Sequence, residues 1–292
     1  MEKKYANLHF HSTHSDGVDT PEKLVEIAVA EGYKALALTD HDTATGTDEL
    51  IEACKKHNLE YILGTEFTGV AFGIQFHIVG LDFDPNHPRM KEHLEYMSKK
   101  CVYRTKGLFD QGVARGTITG ITWEEVAEAN KGITYLCVDH VFRALRKKNI
   151  IQDKDYDNFH WENFSYYNRP FENIYHDRSA EEVISIINDA GGVAILAHPG
   201  KELLPHLPEL IDMGIKGVES WHPNHSDEVA TEIERLAEKY NLYISGGTDH
   251  SGLMGGHYQY CDDPTQDKHY VPSLKYGVTE ENFRKIKNRV LG

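Results

Sequence analysis

Apolar and polar positions alternate in two rhythms along the first eighty residues. The stretch "YANLHFH" (5–11) has the period-two pattern of a strand. "TPEKLVEIAVAEG" follows with helical spacing, Thr20 as N-cap, Pro21 at the first helical position and Gly32 past the end. "KALALTD" predicts a second strand and "GTDELIEACKKHN" a second helix, with further strands at "LEYILGTEF" and "IQFHIVGLDF". The opening βαβα order favours the parallel sheet of an α/β fold. From residue 86 to about 178 the pattern turns helical, as in "PRMKEHLEYMSKKCVYRTKGLFDQG", "TWEEVAEAN" and "VDHVFRALRKKN", and then becomes an aromatic-rich loop, "DYDNFHWENFSYYNRPFENIY". The α/β rhythm resumes through "SAEEVISIINDAGG", "VAILAHPG", "LLPHLPELIDMG", "IKGVESWHP", "DEVATEIERLAEKYN" and "LYISGGTDH", and ends in the helix "TEENFRKIKNRVLG". Four strands before the helical block and three after it predict a barrel-like ring of about seven. The expected organisation is a barrel from 1–83 plus 180–292, interrupted by a helical insertion at 84–179 that acts as a lid.

The strand ends carry the chemistry. His9 and His11 are two apart on a strand, so they share a face. Asp16 follows in the turn "HSDG". The second strand ends in Asp40, His41 and Asp42, the third in Glu66, and the fourth carries His77. After the helical block the ends supply His198, then His222 and His225, then Asp249 and His250. Any one of these histidines alone reads as a surface or hydrogen-bonded core residue, as His57, His87, His93, His160 and His206 do. Their recurrence at one rim is different, because uncompensated charge of that density is costly without cations. The set is oxygen and nitrogen with no thiolate, which suits Zn, Mn, Fe or Co. It is larger than the four ligands of a closed structural zinc site, and implies two or three ions that share a carboxylate, as in phosphoryl-transfer centres.

Composition narrows the partners. The 292-residue chain has a formal net charge of −15, which argues against long DNA or RNA as the main partner and leaves room for a small phosphorylated ligand. Cys54, Cys101, Cys137 and Cys261 are far apart in the chain and read as free thiols of a reducing compartment. The charged start "MEKK" leads into a strand pattern, and no stretch reaches the roughly 18 apolar residues of a membrane span. The expectation is a cytoplasmic protein with no membrane partner.

Taken together and in order, "HFHSTHSDG", "TDHDT", "GTEF", "FHIVG", "AHPG" and "GGTDH" resemble the PHP family (polymerase and histidinol phosphatase domains), through residues 5–83 and 180–256. The helical block lies where the stand-alone phosphoesterases of that family carry theirs. The resemblance implies a distorted (β/α)7 barrel that hydrolyses phosphoesters with up to three metals, Mn, Fe or Zn. It implies that His9, His11, Glu66 and Asp249 hold a first ion, that Glu66 bridges to a second completed by His77 and His198, and that Asp16 and His41 hold a third. A hydroxide bridging two ions would be the nucleophile, which makes Glu66, His198 and Asp249 the catalytic set. The chain departs from the family pattern at one point. Many members end in Asp-x-His, whereas this sequence has Asp249-His250-Ser251, so the third ion is weak, absent, or completed by His250, His257 or water.

Phosphate recognition calls for arginines. The helical block offers Arg104, Arg143, Arg169 and Arg178, each as well suited to a solvated surface position as to a phosphate. "YLCVDHVFRAL" resembles a stretch of the same stand-alone enzymes, which favours His140 and Arg143. His225, beside the mouth, is a candidate for substrate contact or for protonating the leaving group. The expected substrate is a nucleotide 3′,5′-bisphosphate, a short oligonucleotide trimmed from its 5′ end, or a cyclic ribose phosphodiester opened at its 1,2-cyclic phosphate. Histidinol phosphatase activity and a catalytically silent metal- or nucleotide-binding regulatory module are the rival readings.

Overall fold

Ala6, Leu8 and Phe10 are buried in apolar core, so the period-two pattern directs Asn7, His9 and His11 to the other face of the same strand. A computed structural model describes residues 4–165, 171–251 and 275–291. β1 (Ala6–Asn7), β2 (Ala35–Leu36) and β3 (Glu60–Tyr61) pair in parallel. β4 (Gly64–Ala71), β5 (Ile74–Leu81), β6 (Val193–Leu196), β7 (Gly217–Trp221) and β8 (Tyr243–Gly246) form a second sheet in that order. The two sheets are joined at both seams. Leu8 N–H donates to Gly246 O at 3.1 Å and His11 N–H to His250 O at 2.9 Å; on the other side Asp42 N–H donates to Glu66 O at 2.9 Å. β3 and β4 are the two halves of the strand read at "LEYILGTEF", so seven staves ring a core of small and branched residues that includes Ala35, Ile62, Val79, Val193 and Ile195. The closure gives a distorted seven-stave α/β barrel, as the resemblance implies.

The expectation of an all-parallel sheet needs correction at β5, which is antiparallel to both β4 and β6. The cause is local. Phe72 (φ 55°) and Gly73 (φ 73°) both sit in the left-handed region, which is the two-residue turn that reverses a strand into a hairpin.

Helices cover the ring. α1 (Pro21–Glu31) is capped as its sequence requires, with the Thr20 side chain accepting from Lys23 N–H and Gly32 left-handed at φ 94°. α2 (Thr47–His57), with the inner face of α1, buries Leu24, Leu50 and Cys54 against Phe10 and Leu36. α7 (Ala180–Asp189), α8 (Leu207–Asp212) and α9 (Asp227–Tyr240) cover the second sheet. α10 (Glu280–Asn288) sets Phe283 and Ile286 against residues at the starts of the parallel strands, and so closes the end opposite the histidines.

The helical block consists of α3 (Pro88–Arg115), α4 (Trp123–Ala129), α5 (Val138–Lys147) and α6 (Tyr156–Phe164). It has an apolar core of its own around Leu108, Val126, Phe142 and Phe159. α6 corrects a second expectation, because the first part of the aromatic-rich stretch is helical: Phe159 and Phe164 face that core, so tertiary packing rather than propensity sets the conformation. Among the described residues no helix is long and apolar enough to cross a membrane. Cys54, Cys101 and Cys137 are free thiols; Cys261, His257 and Arg169 lie outside the described residues.

α3 also leans on the barrel and buries His93 beside Phe67, with ring centroids 5.5 Å apart. Neither imidazole nitrogen of His93 has a hydrogen-bond partner. Burial, with Arg178 and Lys100 nearby, lowers its pKa to about 3. The unfolded chain takes up this proton below about pH 6.5 and the folded chain does not, so stability falls as pH drops from about 6.5 towards 3. His93→Leu is therefore expected to gain about 2 kcal/mol relative to the parent at pH 5 beyond any difference at pH 7.5. Urea unfolding at both pH values, with chelator present, measures this; a difference independent of pH would show that the imidazole is solvated or partnered.

Candidate metal centre

The segment after β1 brings His9 and His11 to the mouth, where both are buried. Glu66, on β4, is 1 % exposed and is met by five imidazoles: His9 Nε2 at 3.3 Å, His11 Nε2 at 3.3 Å, His41 Nδ1 at 3.1 Å, His77 Nδ1 at 3.0 Å and His198 Nε2 at 2.9 Å. Asp249, just past β8, lies 3.0 Å from His11 Nε2 and 3.6 Å from His9 Nε2. Asp16 lies 3.3 Å from His11 Nδ1 and 3.7 Å from His41 Nε2. The close approach of β8 to β1 depends on Gly247, because a Cβ there would come within 2.4 Å of His9 Cβ. His198 (φ 24°) and Asp249 (φ 50°) both hold left-handed backbone conformations, the kind of local strain that persists where surrounding structure over-determines a functional site.

The donor set fits cations. Glu219, buried in β7, lies 2.9 and 3.1 Å from His9 Nδ1 and so accepts its proton. That leaves the Nε2 lone pair of His9 facing the Nε2 of His11 at 3.2 Å, with Glu66 and Asp249 oxygens beside both. Acceptors crowded on acceptors require protons or metal ions between them. His9, His11, Glu66 and Asp249 could hold one ion; His41, Glu66 and His77, with His198 beside the same carboxylate, could hold another; His11, Asp16 and His41 could hold a third.

The electrostatics point the same way. Burial opposes the charge on Glu66, yet His77, His9 and His41 outweigh it and hold the carboxyl well below its usual range. Burial likewise opposes protonation of His9, and Glu219, Glu66 and Asp249 reverse the sign, raising its pKa. Burial dominates at His41 and lowers it to about 4. A cation here replaces protons on imidazole, so metal affinity weakens as pH falls.

Several expected residues lie elsewhere. His250 turns its Nε2 to Asp19 at 3.3 Å and sets its ring edge-on to Phe10. The left-handed backbone at Asp249 leaves its carboxylate at the cluster while the His250 ring points to Asp19, and His250 belongs to none of the candidate ligand groups among the described residues. His225 is buried, with Nδ1 2.6 Å from Ser220 O and Nε2 3.3 Å from Pro199 O, so its ring is turned to backbone carbonyls, and it belongs to none of the candidate ligand groups among the described residues. Arg178 pairs with Glu182 and lies over the Tyr96 ring at 4.6 Å. Arg104 donates to Phe164 O at 3.2 Å. His140 and Arg143 face the backbone of residues 13–17, with His140 Nε2 3.1 Å from Thr13 O and Arg143 donating to Gly17 O, Thr13 O and Ser15 O. Carbonyl oxygens are thus the recorded partners of His140 and Arg143. Cys137 Sγ, 3.2 Å from His140 Nδ1 and 3.3 Å from Asp139, resembles a nucleophile pair, but burial and Asp139 raise its pKa and keep it a thiol.

Two residues escaped the reading of the strand ends. Glu219 also accepts the His198 backbone N–H at 2.9 Å, and so orients two candidate ligands at once; its signal was a lone acid inside an apolar strand, "GVESW". His222, seen at a strand end but given no role, accepts Asn224 N–H at Nδ1, leaving Nε2–H to face Asp249 Oδ2 at 3.3 Å.

The PHP domain family model matches residues 7–248. The chain is 28% identical over 273 residues to the phosphoribosyl 1,2-cyclic phosphate 1,2-diphosphodiesterase of Eggerthella lenta, covering 85% of this chain and 95% of that one. It is 31% identical to a 5′-3′ exoribonuclease of Haemophilus influenzae (85% and 90% covered) and 29% identical to a 3′,5′-nucleoside bisphosphate phosphatase of Chromobacterium violaceum (86% and 88%). Among solved structures, one from Bifidobacterium adolescentis, provisionally described as a metal-dependent phosphoesterase, superposes with a TM-score of 0.77 at 24% identity, covering 100% of this chain and 98% of that one.

Glu219→Gln removes the charge that holds the His9 tautomer. It is expected to weaken metal affinity by about tenfold or more, read by competition of the purified protein with a fluorescent chelator. Unaltered affinity would mean that Glu219 does not orient the ligands.

Proposed function

The chain belongs to the PHP domain family, and on that premise we propose that it is a metal-dependent phosphoesterase acting on a phosphate ester of ribose in a small molecule. The observation that carries this reading is the buried carboxylate of Glu66, ringed by imidazoles from four separate segments, with Asp249 and Asp16 beside those imidazoles. Divalent ions bound there would supply Lewis acidity and a water of lowered pKa. Manganese, iron and zinc all suit the nitrogen and oxygen donors. The chain's own residues supply the rest. Glu66 would serve two neighbouring cation positions. Glu219 holds the Nδ1 proton of His9, so that Nε2 presents its lone pair. Asp249, with His222 Nε2 3.3 Å away, is held below its usual carboxylate range against the pull of burial, chiefly because His9 lies beside it.

The three relatives act on a phosphoribosyl cyclic phosphate, on RNA and on a nucleoside bisphosphate, all of them phosphates esterified to ribose. The net charge of −15 favours the smaller members of that set over long RNA. Trimming of short oligonucleotides is a second reading, supported by a cavity of about 990 Å³ between α3 and the segment just after His41, with Tyr103, Phe171 and Tyr175 among its walls. Aromatic walls of this kind can stack bases. The helical block would serve as the lid over the mouth.

With Mn²⁺ supplied, the protein is expected to hydrolyse at least one of ribose 1,2-cyclic phosphate 5-phosphate, adenosine 3′,5′-bisphosphate and a 5′-phosphorylated trinucleotide, and to lose that activity in EDTA. His198→Ala is expected to lower kcat by about a hundredfold or more while the melting temperature of the metal-free protein holds. Metal binding without turnover of any of these, or of histidinol phosphate, would leave a regulatory module instead.

A further inference from the structure

The third candidate cation position hangs on a loop that the barrel does not hold alone. Asp16 sits in residues 13–17, between the strand that carries His11 and the start of α1. On the barrel side Asp40 grips the front of this loop. It accepts Ser12 N–H at 2.7 Å, Ser12 Oγ–H at 2.7 Å and Ser15 Oγ–H at 2.6 Å. On the opposite side the loop meets the first two turns of α5, in the helical block. Cys137, His140 and Arg143 are spaced by three and so lie along one helix face. Arg143 donates through Nη1 to Gly17 O and through Nη2 to Thr13 O at 3.1 Å and Ser15 O at 3.2 Å.

His140 accepts Cys137 N–H at Nδ1, which leaves the proton on Nε2 to be donated to Thr13 O at 3.1 Å. Cys137 Sγ adds a weaker contact to Ser15 O at 3.5 Å. The carbonyls of residues 13, 15 and 17 are thus all turned towards α5, while the Asp16 carboxylate faces His11 and His41.

We propose that Arg143, assisted by His140, is a positioning residue for the cation held by His11, Asp16 and His41, and that the helical block thereby controls occupancy of that one position. This rests on the metal-dependent reading above. The planar guanidinium suits the task, since a fixed fork of N–H groups can serve several carbonyls at defined angles. Arg143 does not touch the phosphate; its influence on turnover passes through Asp16. The other two cation positions share His11 and His41 with this one but draw no ligand from residues 13–17, so α5 reaches them only through those shared imidazoles.

The test is Mn²⁺ titration of the metal-free protein by calorimetry, with stoichiometry by elemental analysis after dialysis. Arg143→Met is expected to weaken the lowest-affinity class of sites by about 10- to 100-fold and leave the tighter class unchanged. Arg143→Lys should recover part of the loss, and His140→Gln should show a smaller loss of the same class. Asp16→Asn sets the benchmark: it should remove that class outright, and adding Arg143→Met to it should cost nothing more. In turnover, Arg143→Met should lower kcat in a way that excess Mn²⁺ restores, with KM changed by less than about threefold.

A large rise in KM with Mn²⁺ binding intact would place Arg143 on the substrate and overturn the proposal. Asp16→Asn that loses the weak class while Arg143→Met and His140→Gln keep it would also overturn it, and would leave the metal-dependent reading standing. Asp16→Asn that leaves every class unchanged would remove the third cation itself, and the proposal with it. If Arg143→Met does not fold, by circular dichroism, His140→Gln and Arg143→Lys carry the same comparison.

Discussion

The arrangement depends on an electrostatic contradiction at Glu66. A carboxylate 1 % exposed inside a barrel mouth would ordinarily be driven to its neutral form by desolvation. Here imidazoles at 2.9 to 3.3 Å surround it on all available sides. Those imidazoles in turn have lone pairs that need a positive partner. Protons satisfy them poorly, because five adjacent imidazolium rings would repel one another; divalent cations satisfy carboxylate and imidazole together. The demand for cations is therefore a property of the folded chain, imposed by bringing His9, His11, His41, His77 and His198 to one carboxylate.

The barrel makes that convergence possible at modest cost because each stave contributes one or two polar groups at its end while its length remains apolar. Val79, Val193 and Ile195 fill the interior. The closing contacts between β8 and the strand of His9 and His11 are tight enough to require glycine at 247. The backbone strain at His198 and Asp249 is held in place by the same seams. Glu219 ties the strained segment to the first strand, since one carboxylate holds both the His198 backbone N–H and the His9 ring.

Much of this was legible in the sequence, for physical reasons. Strand periodicity placed His9 and His11 on one face, and cap residues such as Thr20 and Gly32 marked the helices. His250 stood in the sequence as a candidate to complete the third cation position; the structure turns it to Asp19 instead, a choice set by the left-handed backbone at Asp249 that residue spacing does not encode. The hairpin of β4 and β5 was missed because Phe72 is an unusual residue for a left-handed turn position, so "AFGI" lacks the Asn-Gly or Asp-Gly signal. Glu219 was missed because a buried acid within a strand has no periodic signature; its partner lies 210 positions away in the chain. Arg143 was visible as a candidate, but its role was not, since helix periodicity gives the face a side chain occupies and not the loop packed against that face.

That last distinction bears on how an inserted domain comes to influence a barrel's chemistry. An insertion over the mouth can shape substrate access with its cavity walls, or it can reach down and hold a ligand-bearing loop. The helical block is built for both: Tyr103 and Lys106 of α3 line the cavity, whereas the inner face of α5 spends its polar groups on backbone carbonyls. The Arg143 guanidinium is committed to carbonyls of the loop that carries Asp16, so it holds that loop without pairing with the carboxylate. On the α5 side the grip is on main-chain oxygens, whereas on the barrel side it runs through the Ser12 and Ser15 hydroxyls to Asp40, and a Cβ at Gly17 would come within 2.3 Å of His11 O. What cannot vary without consequence is the i, i+3, i+6 spacing of Cys137, His140 and Arg143 on α5, since that spacing places all three over the same loop.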